Sequence, residues 1–599
     1  MVLTLASATA EMSTTTTQTQ TLDMREMKRQ LNVIKGEHGE LLLTSSNENG
    51  EDKQHQQNGQ NGTTNGHHAN GNANGTTANT TAPAQPTALL TVDARNYVPN
   101  LVADDQRMRE LAEYGLDYAH SIGLCARTVE HKFESDIATT PPLALMPSPF
   151  PLSLYTKAFE VQETLNELYF RISCDHEFLL ETYKDVIKGD PYIKRCVEIA
   201  QQIHDEGVHQ PLALSVQRAD YLSHWDEQKQ CIELKQVEVN IGQIGGPGCA
   251  TQTNKYHRKM LDKLAIVRAG TGGMEMLAHT EMPVNKPRHK MGRTLYEAWK
   301  LFGDPNAVLL FVNQPDLFPF CHFEQLQFTT FEVEKLAKRD GNIVQVIRMT
   351  FKECAERCHL DENDFSLYVD GKRVALVHMA YGYIGEHYPT EAEWQVRIAM
   401  ERSTAIISPN IRLQLTGTKK IQQVLSKPGV MEKFFPDEPQ RVAALREVFT
   451  GLWGLENDDA ATNAVIEDAI QRPRDYVLKA QMGAGKGNFF DEEMVEKLKT
   501  MSLEERGAYI LMKKIWPVAV KNYLMRPFQV PYLENVVSEL GIYGSIIADS
   551  SNGKVLWNSA EGYLSRSKPA NLNQGGVCEG SGVVDSVLLF PDNEFVGAN

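Results

Sequence analysis

The sequence is short of several things, and each shortage excludes something. It has 9 cysteines in 599 residues, an odd and scattered set that fits reduced thiols, not a disulfide framework. No stretch approaches the roughly 18 consecutive apolar residues of a membrane span, so no spanning helix is expected. Positive charge is in the minority: 60 Lys and Arg face 77 Asp and Glu, giving a net charge of −17 and a pI near 5.5. That balance argues against a nucleic-acid partner or an anionic membrane surface. The opening MVLTLASATAEMSTTTT has no positive segment and too diluted an apolar run for a signal peptide, so a cytoplasmic location is expected. A Gly-x-Ser-x-Gly nucleophile elbow is missing, as is any internal repeat.

What remains is ordinary globular composition, 42% apolar and 23% charged. That is enough for a large core and more than one domain. Residues 1–92 differ: a Thr/Gln run is followed by a tract in which Asn-Gly recurs five times between Asn58 and Gly75. Such sequence has too little to bury to offset the entropy of ordering, and a disordered N-terminal extension is expected. The patch Leu22–Ile34 reads at most as a marginal helix.

Folded sequence starts near Tyr97. DDQRMRELAEYGLDYAHSIGL and SLYTKAFEVQETLNELYFRIS have the apolar spacing of amphipathic helices. ADYLSHWDEQKQCIELKQVEVN reads as helix, turn and strand. From 304 to 411, strands (AVLLFV, VQVIRMTF, RVALVHM) alternate with helical stretches, which implies an α/β unit with a largely parallel sheet. From 412 on, KKIQQVLSK and DEEMVEKLKTM read as helices, YVLKA and AYILMKKI as strands, in an α+β arrangement. The expected division is 1–92, 93–303, 304–411 and 412–599.

Four stretches carry candidate chemistry. KAQMGAGKGNFF, Lys479–Phe490, is a glycine-rich loop after a strand; backbone N–H groups of such a loop can wrap phosphate, although an ordinary glycine turn looks similar. It is no Walker A loop, because Gly485-Lys486 is followed by Gly487 where a Ser or Thr is required. In KQVEVN, Glu238 and Asn240 share one strand face, roughly 7 Å apart. Carboxylate and amide oxygens suit a hard cation such as magnesium, and they also suit a plain polar face. Arg566 and Lys568 in RSK precede the glycine-rich QGGVCEGSG, a pairing that could hold anions beneath a lid. Cys354, Cys358 and His359 lie on one apparent helix, CAERCHL, with no completing metal cluster.

QRADY, KQVEVN, HRKML, DPNAVLL, YVDGKRVALV, LTGTKKIQQVLSKPG, YVLKAQ, RGAYILMKKI, SELGIYG and RSK with GGV occur in the order found in eukaryotic glutathione synthetases. Collinear from about Leu101 to Phe590, they make the chain resemble that ATP-grasp peptide ligase family. The resemblance implies an ATP-grasp fold with an inserted α/β substrate-binding domain. It also implies ATP-dependent joining of γ-glutamylcysteine to glycine through an acyl phosphate, with Mg2+ as cofactor, and a homodimer.

Residue by residue, the resemblance implies that Arg218 and Arg566 hold substrate carboxylates and that Glu238 and Asn240 bind magnesium. It puts Lys419, Lys479 and Lys568 at the ATP phosphates, with Glu238, Gly483, Ala484, Gly485, Lys486, Gly487, Asn488 and Phe490 lining the nucleotide. Met512, Lys513, Lys514 and Ile515 would form the adenine hinge and Glu539 would hold the ribose. Gln243, Gly245, Gln325, Tyr383, Val577 and Cys578 would line the peptide.

The departures fall on the site. The family loop has a glutamate, the third magnesium ligand, where this chain has Gly483; Ala484 and Lys486 replace glycines and Phe490 replaces a tyrosine. The substrate motif Arg-Asp-Gly-Tyr appears as Ala380-Tyr381-Gly382-Tyr383. Gln243 and Gly245 stand for serines, Gln574 for a lid aspartate and Lys513 for a hinge glutamate. Losing the acid at Gly483 is worth roughly 10- to 1000-fold in rate, and Lys486 offers a compensating charge to the β/γ-phosphates. Three readings follow: a glutathione synthetase, at full or reduced rate; an ATP-grasp ligase with a changed peptide or amine; and a non-catalytic paralogue that binds nucleotide or pairs with an active subunit.

Overall fold

The structure, a computed structural model, describes residues 93–595 apart from 126–127, 129–130, 132–136, 243, 272, 314–326, 482–486, 528 and 578–579. The expectation of disorder over 1–92 therefore lies outside the described residues. The elements that carry the site are β1 (Leu212–Asp226), β2 (Cys231–Ile241), helix α1 (Lys419–Leu425), β3 (Tyr476–Ala480), β4 (Tyr509–Lys513), β5 (Tyr532–Asp549) and β6 (Lys554–Pro569).

Four of them form the greater part of a seven-stranded sheet, ordered Val520–Met525, Leu143–Ala144, Val583–Asp585, β6, β5, β1, β2. The first of these strands also pairs with the start of β5, Val520 opposite Val536, so the sheet curls back on itself at that edge. The helix Leu152–Cys174 covers one face, burying Val161, Leu165 and Leu168 in a core shared with Ala219, Tyr221, Leu540 and Ile542. The helices Pro247–Val267 and Pro287–Phe302 cover the other, with Tyr256, Met260, Leu295 and Trp299 against Leu214, Val216 and Tyr543.

A four-stranded antiparallel sheet runs Leu452–Gly454, β4, β3, Asn488–Phe489. Its apolar face, Leu478 and Leu511, packs on Met494 and Leu498 of the helix Asp491–Thr500. In the third sheet Val346–Met349, Val308–Val312, Lys372–Met379 and Ile406–Ser408 pair in parallel, with Leu367–Val369 and Cys358–Leu360 added antiparallel. The parallel part is the arrangement that the alternation of strands and helices implies.

Two local expectations are overturned. The segment read as a helix from Ala219 is β1, the first arm of a hairpin with β2. Its residues Ala213–Tyr221 are buried without interruption, because β1 pairs on both edges and has helices on both faces. A strand covered on both sides loses the period-two alternation that would distinguish it from a helix. In CAERCHL the helix, opened by a Thr350–Glu353 capping box, ends at Arg357; Cys358 is extended and starts a strand opposite Val369. Cys354 is thus helical, whereas Cys358 and His359 are not.

Candidate active site

Alternation on four neighbouring strands gathers the polar side chains on one sheet face. Arg218 and Asp220 lie two apart on β1 and pair with Asn240 and Glu238 of β2. Glu539 and Gly541 lie two apart on β5, Gly541 opposite Asp220 and Glu539 opposite Arg566 of β6. Period two therefore aims six side-chain positions from sequence-distant segments at one space.

The centre of this face is an ionic cluster. Arg218 grips Asp220 with two hydrogen bonds, Nε to Oδ1 at 2.6 Å and Nη2 to Oδ2 at 2.8 Å, and both residues are buried. Asp220 Oδ2 also accepts the Asn240 amide at 2.9 Å and a long bond from Arg566 Nη2 at 3.4 Å. Arg566 in turn pairs with Glu539. Arg218 Nη1 reaches the Gly245 carbonyl at 3.4 Å.

Above Glu238 stand two lysines. Thr418 caps α1 through its side chain and leaves Lys419 in the first turn, where a cation opposes the helix dipole. The Glu238 carboxylate offsets that cost at 2.8 Å from Lys419 Nζ. Lys479, on β3, points its ammonium at the Val237 carbonyl, 3.1 Å away. Burial alone would raise the Glu238 pKa, but the Lys419 and Lys479 charges outweigh it and hold the carboxyl well below its usual range. For Lys479 burial wins over the attraction of Glu238 and brings the ammonium down to about 8. Lys568 is also lowered, by burial first, against the pull of Glu539. The cations Arg218, Lys419, Lys479, Arg566 and Lys568 outnumber the carboxylates Asp220, Glu238 and Glu539, leaving a positive surplus suited to phosphate.

Gln481 joins the two elements that supply the lysines: its carbonyl accepts the Lys419 N–H at 3.3 Å and its Oε1 the Lys420 N–H at 2.7 Å. Lys420 itself is buried against Glu456 at 2.6 Å and faces away into that pair. After the glycine loop, Gly487 returns in a left-handed turn, φ 82°, and its carbonyl accepts the Ala480 N–H at 2.9 Å. Asn488 stands opposite Lys479 in the ladder. In the segment after β6, Asn573 donates to Asp491 at 3.2 Å and Gln574 donates to the Asn488 carbonyl at 3.3 Å. The two glycine-rich segments are thereby tied to each other. Phe490 lies under the Lys514 ammonium, 5.6 Å from its ring centre.

The hinge candidates continue β4. Met512 is buried, the Lys513 N–H goes to the Gly451 carbonyl at 2.8 Å and the Lys514 N–H to the Asp475 carbonyl at 2.8 Å. Ile515 packs at the edge of the core. Ala380 donates its N–H to Val312 O at 3.1 Å. The loop that follows is pinned by His387, whose Nδ1 accepts the Gly382 and Tyr383 N–H groups at 3.0 and 3.3 Å. Val577 is half-buried against the core. Gln243, Gln325, Gly483, Ala484, Gly485, Lys486 and Cys578 lie outside the described residues.

Three residues of the cluster escape a reading of the sequence: Asp220, Gly541 and Gln481. Asp220 had a signal, two positions from Arg218 on a strand, but the expectation of a helix there concealed it. Gly541 and Gln481 are defined only by what approaches them across the fold.

Among the described residues no group of three or more His, Cys, Asp or Glu could hold a metal unaided. Glu238 and Asn240 nonetheless fit magnesium shared with phosphate: with its Nδ2 committed to Asp220, Asn240 leaves its oxygen beside an ionised carboxylate, and such an ion takes few protein ligands. Among the described residues no helix is long and apolar enough to cross a membrane.

The chain matches the family described as eukaryotic glutathione synthase, ATP binding domain, over residues 105–589. It is 34% identical to the glutathione synthetases of Mus musculus, over 491 residues, and Homo sapiens, over 488, covering 81% of this chain and 98% of each relative. Identity is also 34% with a chloroplastic glutathione synthetase of Solanum lycopersicum, across 75% of this chain and 77% of that one. Among solved structures, a glutathione synthetase-like effector from Globodera pallida in its apo form superposes with a TM-score of 0.64 at 30% identity, over 82% of this chain and 99% of that one.

Proposed function

The chain belongs to the eukaryotic glutathione synthetase family, and we propose that it is an ATP-dependent ligase that joins γ-glutamylcysteine to glycine. The observation that carries this reading is the convergence of Arg218, Glu238, Asn240, Lys419, Lys479 and Arg566 on one sheet face. Acyl-phosphate formation needs concentrated positive charge around the transferring phosphoryl group and room for a carboxylate to meet it in line. Lys419, Lys479 and Lys568 supply the charge. Arg218 and Arg566 hold the substrate carboxylates, the attacking one among them. Its oxygen bonds the γ-phosphorus while the bond to ADP breaks; the glycine nitrogen then bonds the acyl carbon, phosphate leaves and the amine loses its proton. Magnesium, held by Glu238 and Asn240, would draw charge from the phosphoryl oxygens. The tied segments around Asn488 and Asn573 keep water from the acyl phosphate.

The substrate assignments of Gln243, Gly245, Gln325, Tyr383, Val577 and Cys578, the nucleotide assignments from Gly483 to Phe490 and from Met512 to Ile515, and that of Glu539 belong to the same proposal. So do the homodimer, the cytoplasmic location and the division at 303 and 411.

The loop at Ala380 favours a second reading, a ligase with a changed peptide or amine. It offers no arginine, and the side chain that pins it, His387, is brought down to about 3 by burial and stays neutral. The test is incubation with ATP, Mg2+, γ-glutamylcysteine and glycine, scoring phosphate release and the tripeptide by mass spectrometry. Tripeptide formation supports the first reading. Phosphate release only with other dipeptides or amines supports the second, and no turnover with any acceptor defeats both.

A further inference from the structure

We propose that Asp220 is a positioning residue for the cation site: it turns the Asn240 side chain so that the amide oxygen, not the amide nitrogen, faces the divalent ion accompanying the nucleotide. The proposal rests on the reading of Glu238 and Asn240 as the metal's protein ligands.

The argument begins with what a carboxylate can do. An ionised Asp only accepts hydrogen bonds. Asp220 is 1% exposed, and its oxygens receive Arg218 Nε at 2.6 Å, Arg218 Nη2 at 2.8 Å, Asn240 Nδ2 at 2.9 Å and Arg566 Nη2 at 3.4 Å. Both guanidiniums donate to that carboxylate and leave it no room for a donor of its own towards Asn240. Rotating the Asn240 amide by 180° would set Oδ1 against Asp220 Oδ2, lone pair against lone pair, in a space that water does not reach. Only one orientation survives, and it leaves Oδ1 as the outward atom.

The outward atom has the right neighbour. Asn240 and Glu238 lie two apart on β2, pairing with Arg218 and Asp220 of β1, so the oxygen emerges on the face that carries the Glu238 carboxylate. An amide nitrogen there would be useless, since a hard cation takes oxygen donors and an NH2 group has no lone pair to give. Asp220 thus acts on the ion without touching it, as outer partners of metal ligands do, and such partners are typically worth 10- to 100-fold in metal affinity.

The experiment reads binding of Mn2+, as a probe of the divalent site, by its electron paramagnetic resonance signal with ATP present. The variants are Asp220→Ala, Asn240→Ala, Glu238→Gln and the double change Asp220→Ala with Asn240→Asp. Asp220→Ala is expected to weaken Mn2+ binding at least tenfold, because Arg218 and Arg566, left without their acceptor, draw the Asn240 oxygen inward and turn its NH2 outward. The double change is expected to bring binding back to within threefold of wild type, because a carboxylate at 240 presents oxygen at both ends and needs no orienting. A merely structural role for Asp220 predicts no such recovery. Wild-type binding by Asp220→Ala, or a double variant no better than the single one, overturns the proposal. If Asp220→Ala does not fold, the double variant decides alone: folded with binding supports it, folded without binding overturns it. Unchanged binding in both Asn240→Ala and Glu238→Gln overturns the ligand assignment beneath it.

Discussion

Gly541 lies opposite Asp220 in the sheet, and a Cβ there would sit 2.4 Å from Asp220 Oδ1 and 2.7 Å from Arg218 Cδ. Neither atom can retreat easily, since both side chains are buried and bonded to each other twice. Gly541→Ala is therefore expected to destabilise the protein by about 1–3 kcal/mol, as overpacking does. By displacing the guanidinium it should also weaken the hold proposed for a substrate carboxylate, a bond of about 1.5–3 kcal/mol. The KM for the dipeptide should rise roughly tenfold with a smaller change in the KM for ATP. Denaturant unfolding and steady-state kinetics check both; unchanged values would mean that the pair has room to move.

The role proposed for Lys479 predicts nucleotide binding that is sensitive to mild alkali. Burial holds its ammonium at about 8 in the folded protein, against Glu238's pull, while the unfolded chain keeps the ordinary 10.5. The folded state thus binds fewer protons between those values, and this group's contribution to stability grows as pH rises through them. Affinity for a phosphate runs the other way, because the ammonium is what attracts it. The Kd for ATP should increase by up to about tenfold per pH unit above 8. Lys479→Arg, always charged, should flatten the rise. Calorimetric titration between pH 7 and 9.5 decides it.

Glu238 and Asn240 were legible in the sequence because the end of their strand, VEVNI, alternates apolar and polar residues. The helix α1 and the strand β4 were legible for similar reasons. Asp220 was not, because its partners Asn240 and Arg566 lie 20 and 346 residues away and its own strand, covered on both faces, does not alternate. Gly541 was quoted within SELGIYG, yet nothing local demands glycine there: its backbone is an ordinary strand, and the demand comes from atoms of β1. The resemblance supplied the roles of single residues; the sheet register supplies the reason that they meet.

Asn573 joins the two segments proposed to flank the nucleotide. It donates to Asp491 at 3.2 Å, accepts from Lys514 Nζ at 3.1 Å, and its carbonyl takes Lys568 Nζ at 2.6 Å. Asn573→Ala removes the two side-chain bonds and spares the third. Each is worth about 0.5–1.5 kcal/mol at most, so release of a fluorescent ATP analogue should quicken roughly 3- to 10-fold in stopped-flow. The rate of the chemical step in single turnover should hold, because the side chain meets none of the charged groups on the sheet face. Unchanged release would show that the tie does not retain nucleotide.

His387 gives the loop at Gly382 and Tyr383 an acid limit. Its Nδ1 accepts two backbone N–H groups, from Gly382 and Tyr383, and can do so only without a proton. Burial lowers the ring to about 3, whereas the unfolded chain keeps about 6.5. Between these values the unfolded state binds the extra proton, so the stabilisation is complete above about 6.5 and is lost as pH falls towards 3. The wild type should therefore lose stability on acidification faster than His387→Gln, by up to about 1.4 kcal/mol per pH unit across that window. At pH 7.5 the variant should be the less stable of the two, since glutamine cannot hold both N–H groups at that distance from the chain. Urea unfolding of both proteins at half-unit intervals from pH 4 to 7.5 measures the difference. Parallel curves would mean that His387 takes its proton without surrendering the loop.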